Sequence, residues 1–242
     1  MFDIWNSLCY ISTDEVLKDV QFAFRGGTTL SKVYFGSRQR ISEEINLDIF
    51  FKDGMTREEA VDFVYRKIVS RMGPYEVDGP FGKGRVSRHR FTFTNELGSK
   101  DHVYVDFNIK TTAPVYDTET RGASSIILPL NIRNVPVYPF HVILAQKLIA
   151  FHDRAEGKDL YDIHTGLAMA DKLGPVLDTL REILAAINID YSDFKERIVE
   201  KLSDYKAMWN LHLSLNPYVL DENKLDWGKA AQQALDRLGP HL

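Results

Sequence analysis

The stretch FRGGTTLSKVYFG, residues 24–36, decides how the chain is read. It is entered from VQFAF (20–24), an apolar run of strand length. Two glycines follow, then a short run with helical character. Thr28 is the kind of residue that caps a helix N-terminus, and Gly36 the kind that ends one. Adjacent glycines at a helix mouth commonly make a plain turn. They also let backbone N–H groups come close to an anion such as phosphate. The choice between these uses depends on what the chain brings next.

Next comes ISEEINLDIFF, residues 41–51. Ile41, Glu43, Ile45, Leu47 and Ile49 alternate with Ser42, Glu44, Asn46, Asp48 and Phe50, which predicts a strand from about Glu44. Period-two spacing puts Glu44, Asn46 and Asp48 on one face, either as a solvated polar face or as a row of oxygen donors. TREEAVDFVYRKIVSRM (56–72) has helical spacing at Ala60, Phe63, Val64, Ile68 and Met72. RVSRHRFTFTNE (85–96) and HVYVDFNIK (102–110) predict strands around a turn at Gly98-Ser99. Asp106 lies among apolar neighbours in the second of these. A buried acid needs a partner, either an arginine or a cation.

After Pro139 the pattern becomes helical. FHVILAQKLIAFHDR (140–154) carries Leu144, Leu148 and Phe151 on one stripe. Helices are also predicted over 159–173, 175–189, 192–213 and 224–238. The expected fold class is α+β: an N-terminal mixed-sheet domain over 1–138 and a C-terminal helical bundle over 139–242. Lys147 and Arg154 share a face of the first of these helices, and both residue types reach anions. Asp159 and Asp162 stand one turn apart, where an N-cap with a first-turn acid is the ordinary reading.

Bulk properties set the bounds. A chain of 242 residues builds one large domain or two small ones. A formal net charge of −4 leaves only a local basic face to attract nucleic acid. The single cysteine, Cys9, excludes an internal disulfide, fits a reducing compartment and reads as a packing residue. The first residues have early acids and no basic leader, and no apolar run approaches a membrane span, so the expected location is cytoplasmic.

FRGGTTLSK, RISEEINLDIF, VYVDFNI and LAQKLIAFHDRAEGKDLYDI, in this order and spacing, resemble the four motifs of the AbiEii/AbiGii-type toxin nucleotidyltransferases of the polymerase-β-like superfamily. The resemblance runs from about Phe22 to Ile163. It implies a mixed-sheet nucleotidyltransferase domain followed by a helical one, a Mg²⁺ cofactor, an NTP substrate, and an acceptor such as the tRNA 3′ end. It also implies a neighbouring antitoxin partner, as in toxin–antitoxin and abortive-infection systems. Gly26, Gly27 and Thr28 fall on the phosphate motif, with Lys32 and Ser42 in the nucleotide-binding set. Glu44 and Asn46 fall on two metal-binding aspartates, and Asp106 on the third carboxylate. Lys147 falls on a nucleotide-contacting lysine. Asp159 and Asp162 fall on the RDLYD motif, where Lys158 replaces the arginine, and Arg154 joins the nucleotide-binding set. Glu44, Asp106, Lys147 and Asp162 are the expected catalytic residues.

The departure from the motif matters. The usual Asp-x-Asp reads Glu44-x-Asn46. Glu44 keeps the charge on a longer arm, whereas Asn46 keeps an oxygen and loses the charge. Mg²⁺ favours hard anionic oxygens in an octahedron, so both changes weaken a two-metal site. Asp48, on the same face, is a partial substitute at best. Three readings stay open: a working transferase, a degenerate relative that binds nucleotide or a protein without turnover, and a chain in which Asn46 is an introduced inactivating change. For the acceptor, Lys83, Arg85, Arg88, His89 and Arg90 form a basic cluster that alternation splits over two faces. It reads equally as a solvated strand edge or as an RNA-phosphate groove; for Tyr104 and Tyr116 core or rim packing is the ordinary reading and base stacking the alternative. His141, His152, His164 and His212 lack metal-ligand spacing.

Overall fold

The computed structural model describes residues 4–5, 7–8, 11, 20–42, 44–51, 55–81, 86–95, 97–110, 116–126, 131–207 and 219–242. Cys9, the helix expected from Ser12 or Thr13, Glu43, Lys83, Arg85, His212 and the far end of the 192–213 helix lie outside them. The chain divides into two compact units. One comprises Met1–Val33 and Ser42–Tyr138, and the other Tyr34–Ile41 and Pro139–Leu242.

The first unit is built on a seven-stranded mixed sheet. Its strands are β1 (Val20–Arg25), β2 (Glu44–Phe51), β3 (Glu76–Phe81), β4 (Val86–Thr94), β5 (Lys100–Lys110), β6 (Glu119–Ser124) and β7 (Asn131–Val137), in the order β3-β4-β5-β2-β1-β7-β6. β2 lies at the centre, antiparallel to β1 and parallel to β5. The predicted alternation is visible there. Ile45, Leu47 and Ile49 are buried, while Glu44 and Asn46 stand partly exposed on the other face.

β4 and β5 form the expected hairpin. Pairs such as Thr94 with Lys100 and Arg88 with Asp106 are all centred on Leu97. Asn95 fixes the turn, its side-chain oxygen accepting from the amides of Leu97 and Ser99. Phe91, Val105, Phe107 and Ile109 carry the core across this hairpin.

Helix α1 (Gly26–Thr29) leaves β1 directly and continues as a π turn over Leu30–Tyr34. Helix α2 (Arg57–Lys67) begins with a full capping box. Thr56 accepts from the Glu59 amide, and Glu59 accepts from the Thr56 amide. Both groups are exposed, so truncation leaves no buried cavity. Thr56→Ala is expected to cost about 1 kcal/mol of unfolding free energy, read by urea denaturation. A change below about 0.3 kcal/mol would show that the box adds nothing.

The second unit is helical, with α3 (Phe140–Arg154), α4 (Gly157–Met169), α5 (Gly174–Ala186), α6 (Tyr191–Ser203) and α7 (Trp227–Leu238). The short segment Tyr34–Ile41 belongs to this unit through specific bonds. Tyr34 packs its ring 5.3 Å from Phe140. The Tyr161 hydroxyl donates to the Arg38 carbonyl at 2.9 Å, and Asn223 donates to the Ser37 carbonyl at 2.8 Å. The end of α3 is capped from another helix, where Lys201 on α6 donates to the carbonyls of Phe151 and His152. Cationic donors at a helix C-terminus answer its unpaired carbonyls and its dipole. No helix among the described residues is long and apolar enough to cross a membrane.

Candidate active site

The glycine turn and the acid strand meet. β1 and β2 are paired so that Arg25 lies opposite Asn46, and β2 and β5 so that Asn46 lies beside Asp106. The turn therefore opens directly over the acid-bearing face. Gly26 has φ +76°, a left-handed conformation that a side chain strains. A Cβ there would stand 3.3 Å from Asn46 Nδ2 and 3.4 Å from its Cβ. Glycine is thus required twice, by backbone conformation and by the close approach of Asn46.

Thr28 does not cap the helix. The N-cap residue is Arg25, without a side-chain bond, and the Thr28 hydroxyl donates to the Glu44 carbonyl instead. The helix starts at Gly26, three residues before a Thr28 cap would start it, because the left-handed glycine turns the chain immediately. The Ser42 hydroxyl donates to the same carbonyl at 3.3 Å, so two hydroxyls fix the start of β2. Thr29 donates back to the Arg25 carbonyl at 2.9 Å, and Lys32 is buried in the π turn.

The carboxylates of Glu44 and Asp106 converge on one guanidinium. Arg88 on β4 grips Asp106 as a fork, Nε to Oδ1 and an Nη to Oδ2, both at 2.6 Å. The same Nη stands 3.4 Å from Glu44 Oε1. The Tyr104 ring lies 5.2 Å beneath the guanidinium. The hydrogen bond to Asp106, and then the charges of Asp106 and Glu44, hold the Arg88 pKa above its usual value. Asp48 faces other partners. It is buried and accepts from Tyr138 at 2.8 Å, Asn108 at 3.0 Å and Arg25 at 3.3 Å. Its oxygens are used in tying three strands together, so it does not compensate for Asn46.

The described part of the basic cluster is divided as alternation required, with His89 on the face away from Arg88 and Arg90. Arg88 and Arg90 share a face, Arg88 on the acid pair and Arg90 on Asp78 at 2.5 Å. His89 points into the core, wholly buried against Phe107 and Tyr65. Its place in a groove is corrected by this burial. His102 and Tyr104 stand edge to face, with ring centres 5.1 Å apart.

In the helical unit the remaining residues form a closed ion network. Asp162 is fully buried and takes a fork from Arg40, at 2.8 and 2.7 Å, and an ion pair from Lys147 at 2.8 Å. Asp159, also fully buried, takes a fork from Arg154, with both bonds at 2.8 Å, and one bond from Lys147 at 3.2 Å. Asp159 is therefore not a helix cap. The N-cap is Glu156, and Asp159 spends both oxygens on α3 side chains. Burial by itself would raise the Asp159 carboxyl, but Arg154 and Lys147 outweigh it and lower the pKa to about 2. Burial opposes ionisation of Asp162 too, and Arg40 and Lys147 hold its pKa below the usual range. Arg40 was invisible to sequence reading, because its partner lies 122 residues on.

Among the described residues no three His, Cys, Asp or Glu side chains are grouped to hold a metal ion. The acid set near the glycine turn is two carboxylates, with the Asn46 amide in the third position. Hard oxygen donors converging on a cationic nitrogen suit one divalent cation in kind, though not a fully anionic two-metal set.

A mixed sheet carrying a glycine turn against such donors, with a helical second unit, is the architecture of a nucleotidyltransferase toxin. Comparison with solved structures agrees. The chain matches MenT4, a nucleotidyltransferase toxin of Mycobacterium tuberculosis H37Rv, with a TM-score of 0.69 at 18% identity, over 98% of this chain and 82% of that one. At that identity the likeness speaks for the fold. A family model for the AbiEii nucleotidyl transferase toxin of type IV toxin–antitoxin systems matches residues 11–237. The chain belongs to this family. No curated protein matches it in sequence.

Proposed function

We propose that this toxin transfers a nucleotide from an NTP to an RNA acceptor, with the tRNA 3′ end as the first candidate, and that it uses Mg²⁺ in the cytoplasm. The observation that supports this reading is the meeting of Gly26 with Asn46 beside Asp106. The backbone amides after Gly26 offer donors to phosphate oxygens, and the missing Cβ lets Asn46 stand beside them. Glu44 and Asp106, with the Asn46 carbonyl as a neutral third donor, are the residues that would hold a divalent ion. When bound, that ion would neutralise charge building on the phosphates. In this reading Asp106 accepts the proton of the attacking hydroxyl. That hydroxyl forms a bond to the α-phosphorus as the bond to pyrophosphate breaks.

Within the helical unit, Asp159 and Asp162 take two of the three Lys147 ammonium donors and so hold it in one orientation. We assign the third donor to a nucleotide phosphate, with Arg154 as a neighbouring anion contact. Lys32 and Ser42 complete the nucleotide-binding set. The cognate antitoxin is the expected protein partner.

A second reading, binding without turnover, is favoured by the neutral Asn46 and by Arg88 on both carboxylates. One experiment separates the two. Purified protein is incubated with Mg²⁺, each labelled NTP in turn and total tRNA, beside an Asn46→Asp variant. Label transferred by the unaltered chain supports the transferase. Transfer by Asn46→Asp alone supports a scaffold disabled at one carboxylate. No transfer by either form overturns the tRNA transferase reading.

A further inference from the structure

We propose that Arg88 is a resident cation of the Glu44–Asp106 pair, and that a divalent ion binds there only by displacing it. This rests on the reading of that pair as the ion site. The register of the β4–β5 hairpin sets Arg88 directly opposite Asp106. Both Asp106 oxygens already receive a short N–H bond from the guanidinium fork. The Nη that takes Oδ2 also sits nearest Glu44 Oε1, so it occupies the point on which the two carboxylates converge. Mg²⁺ or Mn²⁺ needs those oxygens in direct contact, at about 2.0–2.2 Å. Two cations do not share that point, because their mutual repulsion adds to the loss of the fork.

The charge count favours the arginine. Glu44 and Asp106 bring two negative charges, Asn46 brings none, and Arg88 cancels one of the two. A site with an acid at position 46 would still attract an ion past the arginine, whereas this one has surrendered half its pull. Displacement is sterically open. The Arg88 side chain is 36% exposed, so the guanidinium can swing toward solvent about its long stem. Tyr104, beneath the guanidinium, offers it a face in the paired position. Arg88 is then a threshold on ion binding, set by the strength of one bidentate pair.

The test is direct Mn²⁺ titration by calorimetry on the full chain without nucleotide, with folding checked by circular dichroism. Arg88→Gln is expected to bind one ion at least about tenfold more tightly than the unaltered chain, the scale of losing one charge-assisted pair. Arg88→Lys, which keeps charge but loses the fork, is expected to fall between them. Asp106→Asn is expected to abolish binding in either background. Mn²⁺ is also expected to raise the melting temperature of Arg88→Gln more than that of the unaltered chain, since only the variant has an uncompensated acid pair. Equal or weaker Mn²⁺ binding by Arg88→Gln overturns the proposal. Tight binding without label transfer leaves it standing and counts against the transferase reading. Transfer with unchanged ion affinity does the reverse.

Discussion

Replacing Asp162 by alanine is expected to lower the unfolding free energy by about 3–5 kcal/mol, a large share of a domain's typical total. The reason is what the substitution leaves behind. Asp162 has no exposed surface, and it neutralises the equally enclosed Arg40 through two bonds while taking a third contact from Lys147. Burial alone would push the Arg40 pKa down; Asp162 overrides it and raises it. Without the carboxylate, a guanidinium stays in a low-dielectric site and loses the counter-charge that takes both bonds of its fork. An isolated buried charge is far costlier than an absent pair. The double variant Arg40→Met/Asp162→Leu should therefore recover much of the loss, because neither charge remains to be solvated. Urea denaturation of the single and double variants measures both. A cost below about 1 kcal/mol for Asp162→Ala would place the network among exposed ion pairs, contrary to its burial. This bears on function, because the same carboxylate orients Lys147. A loss of activity in Asp162→Ala has to be compared with a loss of folded protein before a catalytic role is assigned.

The difference between Arg88 and Arg40 shows what the sequence could reveal. Strands β1, β2, β4 and β5 are legible because apolar or alternating runs are bounded by turn residues, and the helices because apolar stripes recur at helical spacing; β3, β6 and β7, which carry glycine, proline or mostly polar residues, give no such signal. The meeting of the glycine turn with the acid strand was an expectation from motif order, and the pairing of Arg25 with Asn46 bears it out. Arg88 was also within reach. Once the hairpin turn is centred on Leu97, counting outward pairs residue 88 with residue 106, and an acid opposite an arginine is an ion pair. Its basic neighbours in sequence mask the pair, though alternation sets His89 on the opposite face. Arg40 offered no such route. It stands in a short segment that folds with the helical unit, and no local period connects it to Asp162. Thr28 failed as a cap for a local reason: the left-handed Gly26 starts the helix early and leaves the hydroxyl beside the Glu44 carbonyl.

Acid should destabilise the protein well before its carboxylates titrate, because of His89. The ring is wholly enclosed, stacked 6.3 Å from Tyr65 and edge-on to Phe107 at 5.7 Å. Nε2 meets the Ser87 hydroxyl at 3.0 Å, while Nδ1 has no partner among the described residues. Protonation would place a charge in this apolar site and leave an N–H unanswered. Burial accordingly lowers the His89 pKa from 6.5 to about 4. Between those two values the unfolded chain takes a proton that the folded chain refuses, so stability rises with pH across that window. The contribution is complete above pH 6.5, falls as the solution is acidified toward pH 4, and is flat below. Its full size is about 3 kcal/mol. Asp159 acts in a separate and lower window. Its carboxyl is lowered from 3.8 to about 2, so its contribution is present above pH 3.8 and is lost as pH falls through about 2. Urea midpoints at several pH values between 7.5 and 4, for the unaltered chain and for His89→Gln, isolate the first window. Glutamine does not titrate there, so the His89→Gln curve should lack most of the slope whatever its overall offset. Parallel curves would show that His89 does not resist protonation, and that the acid sensitivity of the fold has another source.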